Sequence, residues 1–280
     1  MIGVFGIALI CFATLLIVFC CVALIAEKRS RHYFDAYLAL LPNYVARPLL
    51  ESELIPKKLY LCYKSKKEIP EFALKEWAML NPEFQIETFG DVEIIEFLQK
   101  EFGSATANAF KNIKDGPIKA DFFRFHILYK RGGVYCDVDI EPLVPLKNIV
   151  DFSSDTLCVA QSCCFPTTVN PCILASSKHN LILEDCINCY EYLFDSKTPY
   201  SYWAYSSVAI MTKVLGAYLD VDNSAKVKSV LGHKIRCLRE RSSKFLNISM
   251  GENAWIEFQP NKPLLNSRRA SYNRWSHEFN

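Results

Sequence analysis

The hydrophobic pattern opens with its longest feature. From Ile2 to Ala26 the chain runs 25 residues without a charged side chain, and the polar boundary Glu27-Lys28-Arg29-Ser30-Arg31-His32 follows at once. At 1.5 Å per residue a helix of that length covers about 37 Å, more than the ~30 Å hydrocarbon layer, which predicts a single-pass transmembrane anchor over residues 1–27. A cleaved signal peptide fits less well, because no Lys or Arg precedes the run and no A-x-A site ends it. Residues 28–54, with Pro42 and Pro48, read as a stem, and a folded domain is expected over 55–280. Its pattern then alternates between periods. Lys58 to Tyr63 suits a buried strand, and Glu71 to Leu80 has helical spacing and stops at Asn81-Pro82. Phe84 to Phe89 reads as a second strand, and Asp91 is the expected cap of a helix carrying Val92, Ile95, Phe97 and Leu98. This β-α-β-α order predicts an α/β domain with a mixed, mainly parallel sheet that binds ligands beyond the carboxyl ends of its strands.

Charge and cysteine content narrow the partners. Lys plus Arg number 32 against 30 Asp plus Glu, so the formal +2 gives no global field for nucleic acid, and no nucleic-acid partner is expected. Lys28, Arg29 and Arg31 all follow the anchor, which under the positive-inside rule puts the domain in the cytosol. Three of the twelve cysteines fall in the anchor; the cluster from Cys158 to Cys189 reads either as lumenal disulfides or as reduced thiols. Cys186 and Cys189 form one C-x-x-C, but zinc needs a second ligand pair that His179 alone does not supply. Asn247-Ile248-Ser249 is a glycosylation acceptor only if lumenal.

The chemistry is concentrated between Gly116 and Pro142. Pro117 suits a first helical position and Gly132 a terminator, so the segment between is a helix, with Asp121 and Arg124 neighbours one turn apart. Beyond Gly132-Gly133, read as a turn, Val134 to Cys136 goes extended, and strand alternation would send Asp137 and Asp139 to one face. Two converging carboxylates repel unless a cation or proton lies between them, and for oxygen ligands that cation is Mg²⁺ or Mn²⁺. Taken alone, a D-x-D at a solvated strand end is commonplace. No glycine-rich phosphate loop precedes it.

The composite is more specific: Asp121-x-x-Arg124 on a helix, then Gly132-Gly133, then Tyr135-x-Asp137-x-Asp139. With Ile55-Pro56-Lys57 ahead of it and Asn170-x-x-x-x-Ala175-x-x-x-His179 after it, the sequence resembles glycosyltransferase family 32, the D-x-D sugar-binding-region enzymes that include yeast-type α-mannosyltransferases. The same spacing occurs in the large clostridial glucosylating toxins. The resemblance implies a GT-A type nucleotide-sugar-binding fold and a retaining transfer of a hexose such as mannose. The donor would be a GDP- or UDP-hexose, the acceptor a glycan or glycolipid, and Mn²⁺ or Mg²⁺ would bridge the diphosphate. Carried onto this chain, Asp121, Arg124, Asp137 and Asp139 would be the catalytic set. Asp121 and Arg124 would hold donor-sugar hydroxyls, Tyr135 would line the donor site, Asp137 would contact the ribose and sugar side, and Asp137 and Asp139 would hold the metal. His277, in Trp275-Ser276-His277, stands where many relatives place a third ligand, although a fraying tail is an equal reading. The T-G-P type segment of many relatives has no clean counterpart; Ser206-Ser207-Val208-Ala209 stands near its place. Relatives of this architecture are anchored with the domain in the Golgi lumen, which opposes the charge rule.

Two alternatives stay open: transfer to a lipid headgroup such as inositol phosphoceramide, and a non-catalytic membrane-anchored module that binds a glycan or partner. Among weaker candidates, His126 reads as a packing histidine. Tyr200, Tyr202, Trp203 and Tyr205 read as core or loop packing, with a sugar-stacking or membrane-facing lip as the alternative. Arg236, Arg239, Arg241 and Lys244 read as a solvated basic face.

Overall fold

Three parallel strands set the floor of the domain. In the computed structural model β1 (Lys58–Cys62) pairs with β2 (Gln85–Phe89) on one side and with β3 (Gly133–Cys136) on the other. The model describes residues 17, 34–51, 53–162, 167–196, 198–220, 226–242, 254–257 and 263–267. Two compact units divide it, Met1–Leu40 and Leu41–Asn280. In the first, residues 34–39 are helical; apart from Ile17, the expected anchor lies outside the described residues. Among the described residues no helix is long and apolar enough to cross a membrane.

The second unit carries the α/β domain. Helix α1 (Glu71–Leu80) joins β1 to β2, and α2 (Asp91–Glu101), α3 (Ser104–Asn112) and α4 (Gly116–Arg131) join β2 to β3. Such helical crossovers are what parallel pairing requires. Gly90, not Asp91, is the N-cap of α2, its N–H donating to Glu93 at 3.0 Å. Val92 is exposed, and Ile94, Phe97 and Leu98 are the buried positions.

After β3 the crossovers shorten and the sheet reverses. The order is β2-β1-β3-β6-β5-β8-β9-β10-β4, with β7 pairing on β8; these strands are β4 (Ile140–Pro142), β5 (Leu157–Gln161), β6 (Val169–Ser176), β7 (Lys226–Val230), β8 (His233–Ser242), β9 (Ala254–Glu257) and β10 (Pro263–Ser267). The sheet is mixed, as expected, but it is not mainly parallel: only β1/β2, β1/β3 and β5/β8 pair in parallel. The reason is topological, since short returns such as β5 to β6 and β7 to β8 permit only antiparallel pairing. Helices α5 (Leu181–Asp195), α6 (Tyr202–Tyr205) and α7 (Ser207–Leu215) complete the unit.

Helix α4 runs through the interior. Phe123 packs on Phe89 and Phe97, and Phe122 and Phe125 pack on Tyr190 of α5. Gly132 and Gly133 are more than a turn. Their φ values are 63° and 109°, and a Cβ at either would lie 2.8 Å from Pro56 or from the Lys58 carbonyl. They therefore reverse the chain and let β3 lie against β1. Sheet residues Leu59, Leu61, Val134, Ile173 and Ala175 form a core with Trp77 of α1. Each such side chain contributes about 1.5–3 kcal/mol of burial.

Part of the expected stem is tied into the same unit. Arg47 pairs with Asp185 at 2.7 Å and Glu184 at 2.8 Å, and the Leu49 N–H donates to the Leu231 carbonyl at 2.8 Å.

Candidate active site

The carboxyl end of β3 opens into a cavity of about 210 Å³. Asp121, Arg124, Tyr135, Asp137 and Asp139 all line it, with Asn170 of β6 and Tyr202, Trp203 and Ser207 opposite them in sequence. These are the five motif residues of the described chain. His277 lies outside the described residues.

The expected route to this convergence needs correction. β3 ends at Cys136, and Asp137-Val138-Asp139 forms a turn in which the Ile140 N–H donates to the Asp137 carbonyl at 3.1 Å. Strand alternation therefore does not align the two carboxylates; a turn at the strand end brings both to the cavity. The Asp137 N–H is secured by the Cys172 carbonyl at 2.9 Å.

Arg124 organises the site. It is buried on α4, and its Nη2 lies 2.8 Å from Asp121 Oδ1 and 2.9 Å from Asp137 Oδ1. Nη1 donates to the Pro171 carbonyl at 2.5 Å, Nε to the Ala120 carbonyl at 3.4 Å, and the guanidinium lies 4.6 Å from the centre of the Tyr135 ring. Four of its five N–H groups are thus engaged, leaving one for a ligand. The planar fork spans three elements at once, which the point charge of a lysine does not reproduce.

A relay of protonated groups supports Asp137. The Tyr135 hydroxyl donates to Asp137 Oδ1 at 3.0 Å, and the Cys62 thiol lies 3.3 Å from that hydroxyl. Burial pushes the Cys62 thiol up to about 12 and the Tyr135 phenol well above its ordinary value, so both stay protonated. Burial also raises Asp137 and Asp139, against the pull of Arg124, and for Asp137 the neighbouring carboxylates add to the rise. Burial opposes the Arg124 charge, but Asp137 and Asp121 outweigh it and hold the guanidinium above its usual range. Among the described residues three carboxylates face one guanidinium. This deficit of positive charge fits a divalent cation, and the oxygen-only donors suit Mg²⁺ or Mn²⁺, which commonly take one or two carboxylates plus substrate phosphate and water. Among the described residues no cluster of three or more His, Cys, Asp and Glu side chains is arranged as a complete metal site.

Sequence reasoning named Ser207 only within the segment near the place of the T-G-P type motif and did not join it to Asp121. The Ser207 N–H donates to Asp121 Oδ2 at 2.9 Å and its hydroxyl to Asp121 Oδ1 at 2.6 Å, which docks the amino end of α7 on the motif helix. The signal was Ser206-Ser207, a pair that suits a helix start: Ser206 caps α7 by accepting from the Ala209 N–H. The aromatic group divides: Tyr202 and Trp203 line the cavity, Tyr205 is buried, and Tyr200 donates to Asp115 at 3.2 Å. His126 is a packing residue, its Nδ1 2.7 Å from the Phe122 carbonyl and its ring stacked on Phe122. Cys158, Cys186 and Cys189 are buried thiols. Of the basic stretch, Arg239 is exposed as expected, Arg236 is half-buried and pairs with Asp155, and the side chains of Arg241 and Lys244 lie outside what is described.

Residues 70–155, which hold α1 to the D-x-D turn, match the family model described as the glycosyltransferase sugar-binding region containing DXD motif. Over those residues the chain is similar to a glycosyltransferase sugar-binding region. It is 31% identical over 114 residues to an initiation-specific alpha-1,6-mannosyltransferase of Candida albicans, covering 38% of this chain and 30% of that protein. It is 35% identical over 77 residues to the protein of the same name from Saccharomyces cerevisiae, covering 26% and 16%. This chain therefore matches less than a third of the length of these relatives. A solved structure, the PaToxG glycosyltransferase, aligns with a TM-score of 0.42 at 17% identity over 68% of this chain and 78% of its own, too loose a likeness to carry an argument.

Proposed function

We propose that the chain is a metal-dependent, retaining glycosyltransferase that moves a hexose, mannose first among the candidates, from a nucleotide-diphosphosugar to a glycan. The observation that carries this reading is Arg124 bridging Asp121 and Asp137 in a cavity shared with Asp139, within the matched sugar-binding region. The names of the yeast relatives favour mannose, and with it GDP as the nucleotide. The uncharged run over residues 2–26 supports a single-pass anchor, and a lumenal Golgi domain rests on the family resemblance alone, against the basic residues that follow the run.

The residues divide the work as their geometry allows. Asp139 and Asp137 would hold Mn²⁺ or Mg²⁺, which supplies Lewis-acid stabilisation of the departing diphosphate. Asp121, with both oxygens already bonded to Ser207 and one to Arg124, retains little acceptor capacity and serves first to hold Arg124. Arg124 orients Asp137, opposes the rise that burial gives its carboxyl, and offers its one remaining N–H to the donor. Tyr135 fixes the other approach to Asp137 Oδ1 by donating its hydroxyl proton. The acceptor oxygen itself would bond to the anomeric carbon on the face from which the nucleoside diphosphate departs, the bond from that carbon to the phosphate oxygen breaking and the hydroxyl proton passing to the leaving phosphate.

The test is turnover by the full chain in detergent with GDP-mannose, UDP-glucose or UDP-galactose, with Mn²⁺ or with a chelator, following release of the nucleoside diphosphate. Metal-dependent release from one donor, with the product keeping the donor's anomeric configuration, is the expected result. Release unaffected by the chelator would overturn metal dependence, and no release from any donor by folded protein would overturn the reading.

A further inference from the structure

Resting on the transferase reading and deepening it, we propose that Tyr202 and Trp203 form a stacking platform for a pyranose ring of the acceptor saccharide. Their rings meet edge to face with centroids 5.3 Å apart, are 40% and 37% exposed, and line the cavity that holds Asp137 and Asp139.

The backbone behind them is held on several sides. Ser207, two residues past α6, is fixed on Asp121 by two hydrogen bonds, and the Ser206 hydroxyl donates to the Trp203 carbonyl at 2.8 Å. The Tyr205 carbonyl accepts from the buried Tyr190 hydroxyl at 2.9 Å, and the Tyr205 hydroxyl lies 3.1 Å from the Leu193 carbonyl and 3.0 Å from that of Thr198. Tyr205, Ser206 and Ser207 thus anchor the segment, and Tyr202 and Trp203 are the side chains it leaves partly exposed at the cavity. Aromatic rings on a backbone fixed in advance bind with little ordering cost, which is how rigid aromatic anchors work at recognition surfaces.

The surroundings select a saccharide over an acyl chain. An acyl chain needs continuous apolar cover, and a large apolar patch would mark it. Among the described residues from 190 to 210, the other exposed large hydrophobics are Tyr192 and Tyr200, both carrying hydroxyls. A pyranose presents a C–H face ringed by hydroxyls. Tyr202 and Trp203 offer apolar faces with a phenol O–H and an indole N–H at their edges. Transfer needs the acceptor oxygen within roughly 3–3.5 Å of the donor's anomeric carbon, so the acceptor must enter this same cavity.

The test titrates mannotriose into the full chain in detergent micelles, by calorimetry and by tryptophan fluorescence, with no nucleotide present. Wild type is expected to bind, Trp203→Ala to bind at least tenfold more weakly, and Trp203→Phe to recover affinity to within about threefold. Asp139→Ala should bind mannotriose like wild type, because the platform does not depend on the donor. In turnover Trp203→Ala should raise the acceptor KM at least tenfold, and Trp203→Phe should restore it to within about threefold. Equal mannotriose affinity in wild type and Trp203→Ala, no recovery in Trp203→Phe, or loss of binding in Asp139→Ala would overturn the proposal. A chain that binds mannotriose through Trp203 but releases no nucleotide from any donor would overturn the transferase reading and leave the platform standing.

Discussion

Arg124 is buried and Arg236 half-buried, each pairs with carboxylates, and the balance of charge around them differs. Arg236 on β8 meets Asp155, whose side chain is fully buried, and Lys234 beside it lies 3.5 Å from Asp151, so two cations face two carboxylates. Asp151 is held far below the usual carboxylate range, chiefly by hydrogen bonds from Ser153 and Ser154 with Lys234 adding to them. Among the described residues Arg124 is the one cation set against Asp121, Asp137 and Asp139, and there Asp137 and Asp139 are pushed up. The Arg236 group also borders a cavity, of about 310 Å³, but its charges balance and leave none over. An unbalanced group, opening on a cavity, is a site waiting for a positively charged ligand.

The largest expected effect comes from removing the cation that the unbalanced site possesses. Arg124→Leu leaves buried carboxylates unpaired and should lose about 3–5 kcal/mol of stability together with all measurable transfer, read by unfolding and by nucleotide release. Asp155→Asn should lose about 3 kcal/mol by stranding Arg236, yet leave transfer per folded molecule unchanged. Equal loss of activity in the two would break the distinction drawn between them.

A pH effect follows in size. Burial lowers His126 to about 4, whereas an unfolded imidazole takes its proton near 6.5, so below 6.5 the unfolded chain binds more protons. Stability contributed by neutral His126 is full above pH 6.5 and is lost as pH falls toward 4, by about 2 kcal/mol at pH 5. Asp137, being raised, contributes with the opposite sign. The difference in slope between wild type and His126→Gln therefore isolates the histidine. Ser207→Ala should cost about 1.5–3 kcal/mol by removing a hydrogen bond to a carboxylate, and should weaken transfer by loosening Asp121 and α7. Asp139→Asn sits last in stability: removing an uncompensated buried charge should leave the melting temperature unchanged or raise it, while transfer falls at least a hundredfold.

Much of the site was legible because its residues lie close together in sequence. Asp121, Arg124, Tyr135, Asp137 and Asp139 span nineteen positions whose spacing, with Gly132-Gly133, fixed a helix, a turn and a strand end. The first strands and helices were legible for the same reason, since periodicity is a local signal. The reversal of the sheet after β3 was not, because strand direction depends on how long each return is. Ser207 was hidden by distance: it meets Asp121 across 86 positions, and only the fold joins them. The misreading of Asp137 and Asp139 as strand residues has a plain cause, since one residue of turn and one of strand look alike where the strand ends.

The most direct measurement is nucleotide-dependent thermal stabilisation of the full chain by GDP and by UDP, with and without Mn²⁺, in wild type, Asp139→Ala and Asp155→Asn. Ligand at about 100 times Kd adds about 2.7 kcal/mol to the folded state. The account predicts a Mn²⁺-dependent rise with one nucleotide in wild type, the same rise from a lower starting point in Asp155→Asn, and none in Asp139→Ala. A rise that survives in Asp139→Ala, or no rise with either nucleotide in folded protein, would contradict it.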